Sequence, residues 1–361
     1  MVNFKISKKE LSEALKIIQT SKIFPILEKV RLTVSQDGLI IDGFDNEIYT
    51  SVKLKHNGNV NGTIQALIPK KMFSDIVKKL KEKEITISID NENVYIGGIT
   101  IKADNDILME YPNMEIPENK ITCDGISLFN AINKVKHAST KDPDKFSING
   151  ICINKNEIVA TDGHRLALYT LDTAITENRL LIPYKTVNLL MKIKPKNSIN
   201  IYYNQDKICF EINNIKILSY QLENRYPNYH DVIPKDATNN IVFKIDKQAL
   251  LDAIEKVIVA DDRKEKPIVL DIIDNKLIIK TSQTKYDEAS YYSEASIDIS
   301  IFKNNLGNYR IGFNGLYLID AINSVEDEAI IKLIDKDSQI TVLDANYDNY
   351  IALVMPMEIK E

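Results

Sequence analysis

Apolar residues fall into one spacing three times along the chain. Leu11, Ala14, Leu15 and Ile18 stand at i, i+3, i+4 and i+7, which sets them on one helical face, while Lys9, Glu13 and Lys16 fall elsewhere on the wheel. Leu128, Ala131, Ile132 and Val135 repeat the pattern, and Leu250, Ala253, Ile254 and Val257 repeat it again. Each set follows a short extended run, starting at Phe4, Ile121 and Phe243, so the unit reads as strand, turn, helix. Ala14, Ala131 and Ala253 are 117 and 122 positions apart. That period is a domain length rather than a solenoid repeat, and it predicts three similar domains.

A second helix is expected in each unit, again entered from a strand, at Ile68-Pro69-Lys70, Ile182-Pro183-Tyr184 and Ile311-Gly312-Phe313-Asn314-Gly315. Proline at a first turn is tolerated because its missing N–H would have no intrahelical partner. Met72, Phe73, Ile76, Val77 and Leu80 form the apolar stripe of the first of these helices, and Val187, Leu190 and Ile193 begin that of the second. Between the helices lie β-rich runs broken by turn residues. In Leu32 to Ile41, Asp37-Gly38 between alternating apolar residues is a hairpin signal. Each unit is therefore α+β, with sheets and two helices on one side. Polar, turn-rich stretches at Pro117 to Lys120 and Pro234 to Asn239 place the domains at 1–118, 119–237 and 238–361.

Composition narrows the function classes. Lys plus Arg number 46 against 51 Asp plus Glu, a net charge of −5, which excludes a uniformly basic nucleic-acid binder but not a basic surface on an acidic body. Cys123, Cys152 and Cys209 are odd in number, far apart and without a Cys or His at ligand spacing, so neither a disulfide framework nor a metal site is expected. No signal-peptide pattern opens the sequence and no apolar run is long enough to span a membrane, so a cytoplasmic protein without cofactor is expected.

Asp162 and His164, two positions apart, suggest acid–base chemistry. A hydrolase built on them needs a third group, and no nucleophile elbow, HExxH, P-loop or dinucleotide fingerprint is present. His164 reads more simply as a turn or pocket-rim residue.

The run Ala160-Thr161-Asp162-Gly163-His164-Arg165-Leu166-Ala167 resembles the signature of bacterial DNA sliding clamps, the beta subunits of DNA polymerase III. Asn149-Gly150, Tyr226-Pro227-Asn228-Tyr229, Val232-Ile233-Pro234, Ile311-Gly312-Phe313-Asn314, Tyr317-Leu318 and Val354-Met355-Pro356-Met357 resemble further family segments in the family's order. The resemblance implies a clamp fold of three domains, each with two inner helices and outer antiparallel sheets, closed as a homodimeric ring around duplex DNA. It also implies a non-enzymatic processivity factor, set on DNA by a clamp loader and holding DNA polymerases and repair proteins through short linear peptides. A monomeric peptide-binding adaptor of the same fold is the alternative.

Carried over residue by residue, the family's peptide pocket falls on Ile148, Thr161, Gly163, His164, Arg165, Leu166, Pro227, Val232, Tyr317, Leu353, Met355, Pro356 and Met357. Methionine suits a site that takes several related sequences, because its unbranched thioether adapts. The tail departs from the family: Glu358 stands where a basic residue is common, followed by Ile359, Lys360 and Glu361. The dimer contact is expected between Ile76, Ile99 and Ile101 of one copy and Ile258 and Val259 of the other. For DNA, a protein that slides needs phosphate attraction without base reading. Lysines cluster on the helices of the first two domains, and Lys9, Lys16, Lys22, Lys71, Lys78, Lys134, Lys136, Lys192 and Lys196 are expected to face it. The third domain is poorer, its last helix being expected to end in Glu326-Asp327-Glu328.

Overall fold

The computed structural model describes every residue except 141, 143–147, 223–225, 260, 283–291 and 360–361. It divides into two compact units, Met1–Ile126 with Asn188–Gln221, and Ser127–Val187 with Leu222–Glu361. Six α-helices are present among the described residues: α1 (Lys8–Ile17), α2 (Lys70–Lys79), α3 (Gly125–Val135), α4 (Tyr184–Leu190), α5 (Lys247–Val259) and α6 (Gly315–Asn323). Each follows directly on a strand, in the order the sequence period predicts.

The helix starts are fixed locally. The Ser7 hydroxyl accepts from Glu10 N at 3.4 Å to begin α1, and Asn314 Oδ1 accepts from Leu316 N and Tyr317 N at 3.0 and 3.2 Å to begin α6. The ends are tied by lysines from the partner helix of the same pair. Lys8, opening α1, donates to Lys78 O and Leu80 O at the end of α2, while Lys70, opening α2, donates to Ile18 O at 2.6 Å. Lys247, opening α5, donates to Asn323 O and Val325 O beyond α6 at 3.0 and 2.6 Å. A cation at a helix C-terminus satisfies orphan carbonyls and complements the helix dipole.

Three helix expectations change. Met72 lies at the flank of the α2 stripe and is exposed, whereas Phe73, Ile76 and Val77 are buried. Helix α4 stops at Leu190, so Ile193 is buried beyond its end. Helix α6 ends at Asn323, before the acidic run 326–328.

All strand pairs are antiparallel. In the first unit, eight strands run side by side in the order Ile64–Pro69, Lys29–Ser35, Gly38–Phe44, Ile48–Leu54, Ile215–Tyr220, Lys207–Ile212, Ser198–Tyr203 and Asn119–Asp124. A second sheet there holds Val2–Ser7, Glu84–Ile89, Asn93–Ile96 and Ile99–Lys102. In the second unit, nine strands run Thr176–Pro183, Gly150–Lys155, Glu157–Thr161, Arg165–Thr170, Tyr350–Val354, Ile340–Asp344, Glu328–Leu333, Ile241–Asp246 and Ser300–Asn304. Its smaller sheet holds Glu294–Asp298, Lys276–Thr281, Pro267–Ile273 and Tyr309–Asn314. The hairpin expected near Asp37 forms between Ser35 and Gly38, which pair directly. Gly38 has φ +138, and a Cβ there would lie 2.5 Å from Leu54 O, so the position needs glycine.

Candidate functional site

Strands Arg165–Thr170 and Tyr350–Val354 pair Leu166 with Leu353 and Leu168 with Ile351, and the period of two puts all four side chains on one face. There they join Cys152, Val159, Leu181, Tyr226 and Tyr229 in an apolar cluster, with Ile148, Leu222 and Ile233 packed partly buried against it. Thr161 pairs directly with Leu166 and shares that face. Met355 continues the parity of Ile351 and Leu353 but is 45% exposed, and its N–H donates to His164 O at 2.9 Å. Val232 and Pro227 are exposed on the segment that covers the cluster. An apolar floor with adaptable exposed edges is what an extended peptide with apolar side chains needs. Tyr226 and Tyr229, on either side of Pro227, are floor residues outside the expected pocket set, as are Cys152, Val159, Leu168, Leu181, Leu222, Ile233 and Ile351. The hydroxyls of Tyr226 and Tyr229 donate to Val159 O at 3.2 Å and Glu157 Oε2 at 2.5 Å, and burial pushes both phenols far above the usual range.

Arg165 and Tyr317 lie elsewhere. Alternation turns Arg165 to the other side of the strand, where its guanidinium meets Asp162 Oδ2 at 3.1 Å and Asp320 Oδ2 at 2.6 Å and stacks 4.1 Å from the centre of the Tyr317 ring. With 12% of its side chain exposed, Arg165 is a strut between the 161–165 turn and α6 rather than an open cation for a ligand. Nearby, His137 Nε2 lies 3.2 Å from the Tyr350 hydroxyl, and burial followed by the Arg165 charge pushes its imidazole down to about 4.

Asp162 has no acid–base role toward His164. Its Oδ1 accepts the backbone N–H of His164 and of Arg165 at 2.9 and 3.1 Å, so the carboxylate closes the turn and binds the arginine. Gly163, at φ +90, supplies the left-handed step at the tip. The Thr161 hydroxyl donates to Arg165 O at 2.7 Å, a turn contact as well. Beyond the turn, Met357 N donates to Gly312 O at 2.8 Å, and Ile359 packs over Gly312, so the tail with Pro356 folds back on the strand that leads into α6. Glu358 stays exposed; Lys360 and Glu361 lie outside the described residues. No group of three or more His, Cys, Asp or Glu placed to hold a metal occurs among the described residues, and no described helix is long and apolar enough to cross a membrane.

Of the lysines expected to face DNA, Lys9, Lys16, Lys22, Lys71, Lys78, Lys192 and Lys196, all in the first unit, are exposed. Burial and then the charge of Lys192 lower the Lys70 pKa, which places Lys192 and Lys70 in one positive field. In the second unit Lys136 is half-buried, and the Lys134 ammonium donates to Ser324 O and Glu326 Oε1, both at 2.5 Å, fixing α3 to the end of α6. Among the residues expected at the dimer contact, Ile76, Ile101 and Ile258 are buried in their own units. Ile258 meets the start of α6, where a Cβ on Gly315 would come within 2.9 Å of it. Ile99 and Val259 remain open, 46% and 83% exposed, and Met72 joins Ile99 among the exposed apolar residues of the first unit.

Comparison with known proteins gives three adjoining matches. The models for the N-terminal, central and C-terminal domains of the DNA polymerase III beta subunit match residues 2–113, 122–228 and 230–358. The chain belongs to the DNA polymerase III beta subunit family. As a sliding clamp of that family it confers processivity on DNA polymerase III and is not an enzyme, so the hydrolase alternative falls. The beta sliding clamp of Haemophilus influenzae is 24% identical over 384 residues, covering 99% of this chain and 100% of that one. The clamp of Staphylococcus aureus is 24% identical over 369 residues, 96% of each. Two solved beta subunits share the fold: one from Pseudomonas aeruginosa bound to griselimycin, with TM-score 0.87, 23% identity and coverage of 99% and 100%, and one from Thermotoga maritima, with TM-score 0.86, 19% identity and full coverage of both chains.

Proposed function

We propose that two copies of the chain, each of domains 1–118, 119–237 and 238–361, close head to tail into a ring around duplex DNA. The observation that supports the ring is a pairing rule used twice within the chain. Ile48–Leu54, the last strand of its group of four, pairs with Ile215–Tyr220; Arg165–Thr170, last in the next group, pairs with Tyr350–Val354. The equivalent strands of the third round are Glu294–Asp298 and Ile99–Lys102, each at the end of its sheet with no second strand beside it among the described residues. Pairing those edges between copies, with Val259 set against Ile99 and Met72, repeats the rule and removes the open edges. Light scattering should give twice 41.1 kDa. A particle of single mass at micromolar concentration would overturn the ring and leave the monomeric adaptor.

In this reading the exposed lysines of α1, α2 and the 191–196 segment hold phosphates without reading bases. A clamp loader sets the ring on DNA in the bacterial cytoplasm. Polymerases and repair proteins then dock short peptides on the face formed by Ile148, Thr161, Leu166, Leu353 and Met355, with Val232 and Pro227 at its edge. The turn residues Gly163, His164 and Arg165 and the tail residues Pro356 and Met357 hold that face in shape, and Tyr317 braces Arg165.

A further inference from the structure

The loop that leaves α1 ends in an apolar tip that packing within its unit does not use. Ile23 and Phe24, adjacent in the chain, are 64% and 54% exposed. The tip is held in place by its own backbone. Ser21 N donates to Leu27 O at 2.9 Å and closes the loop, Leu27 N donates to Phe24 O at 2.9 Å, and Ile23 N donates to the Ser21 hydroxyl at 3.2 Å. Pro25 then opens the turn Pro25–Glu28, where its fixed φ suits the first position, and buried Leu27 anchors that turn. The aromatic ring is therefore presented to solvent by an ordered loop.

Single exposed apolar residues are ordinary on protein surfaces, so the surroundings decide what this pair is for. They are cationic. The Lys70 ammonium sits on Ile18 O at the foot of the loop, 2.6 Å away, and the charge of Lys192 acts on Lys70. Lys22, directly before the tip, is exposed, as are Lys16 in the last turn of α1 and Lys71 in the first turn of α2. Two carboxylates stand against them. Glu28 lies beyond the closure of the loop, and Asp45 is buried, its Oδ1 accepting from Glu47 N and Ile48 N at 3.0 and 2.8 Å. An aromatic ring set among lysines matches a polyanion that also offers flat apolar faces, which describes a nucleic acid.

We propose that Phe24, with Ile23 beside it, stacks on an unpaired base where duplex DNA gives way to a single strand, an inference that rests on the phosphate-facing reading of the lysines. Duplex DNA offers the ring little. Its outside is phosphate and its base faces are covered by their neighbours, so a wedge must unstack a step to enter, and a wedged protein no longer slides. An unpaired base has an open face. Stacking on it is tolerant of sequence, because every base has such a face, and this suits a protein that holds DNA without reading it. The lysines draw the strand in and the ring holds a base, so the chain dwells at junctions and passes freely along duplex.

Fluorescence of Phe24→Trp tests this on the intact chain, which has no tryptophan of its own. The probes are one duplex in three forms at low salt: blunt, with a single-stranded overhang, and with an abasic overhang of equal length that keeps the phosphates and lacks the bases. The base-bearing overhang should change the emission saturably, and the other two should not. In anisotropy titrations the parent chain should bind the base-bearing overhang about tenfold more tightly than the abasic one. Phe24→Ala should bring the two level without moving the melting temperature. Equal binding of both overhangs by the parent, or an advantage that survives Phe24→Ala, overturns the proposal and leaves the lysine reading standing. An emission that responds to DNA polymerase III without DNA, and not to the overhang, gives the tip to a protein partner and overturns it too. If no form of the DNA binds at low salt, the lysine reading and the proposal both fail.

Discussion

Leu353 lies in the strand Tyr350–Val354 and Met355 just beyond its end at the same parity, yet the first is 4% exposed and the second 45%. The difference separates a folding role from a binding role. Leu353→Ala should destabilise the chain by roughly 2–5 kcal/mol, since it opens a cavity in the cluster under Tyr226 and Tyr229. Met355→Ala should leave the melting temperature nearly unchanged. It should weaken a docked peptide by about 1 kcal/mol, a few tens of Å2 of apolar surface at ~25 cal/mol per Å2. Calorimetry and thermal denaturation on both variants check the split, and equal effects on folding and binding would contradict it. His137 gives a pH prediction of definite sign. Burial and the Arg165 charge keep its imidazole neutral in the native state down to about 4, whereas an unfolded chain takes up the proton near the ordinary value of ~6.5. The stability linked to His137 is therefore complete above that value and is lost as pH falls toward the native pKa, by at most ~1.4 kcal/mol per pH unit. Melting temperatures from pH 7 to 5 should fall less steeply for His137→Gln than for the parent; parallel curves would show that His137 does not contribute.

At the level of helices and strands, three lysines that open helices are used up in closing their neighbours. Lys247→Ala should cost about 1 kcal/mol through the lost cap on α6, while Lys9→Ala, on an exposed helix face, should leave stability unchanged and reduce retention on DNA. Chemical denaturation and plasmid retention on the two variants distinguish these roles. The same elements explain what was legible in the sequence. The first helix of each unit and α2 follow from the period of 3.6, which the backbone itself imposes, whereas α4 and α6 follow from their place in the repeat after a strand, and their ends do not. Which lysine faces solvent is set by where a second, distant helix ends. Lys134 resembles its neighbours in sequence, yet Ser324 and Glu326, 190 and 192 positions away, take its charge. Likewise the signature names Arg165 and Leu166 together, but the strand turns them to opposite faces, and only the second reaches the apolar floor. Met72 fits a helical stripe by spacing and is nevertheless uncovered, because the helix gives it no neighbour to pack on within its unit.

For the whole molecule, the two junctions formed within the chain and the two open edges that match them make the head-to-tail ring the natural completion of the fold. Val259, 83% exposed at the end of α5, should then be buried on assembly. Val259→Glu would bury an unpaired charge, which costs on the order of 3–5 kcal/mol, so single-mass particles should dominate in light scattering. A dimer of unchanged mass would move the contact elsewhere. Met355→Ala should not alter that mass, because Met355 follows the strand Tyr350–Val354 and belongs to neither open edge strand, Glu294–Asp298 nor Ile99–Lys102. The central claim is that the chain holds DNA by enclosing it, with lysines that attract phosphate but do not grip it. The most direct measurement is retention on a circular plasmid, after loading by the clamp loader with ATP, at salt high enough to screen the lysines. The ring predicts that the protein stays with the circle and is released once the plasmid is cut to a linear form. Equal retention on circular and linear DNA would contradict it.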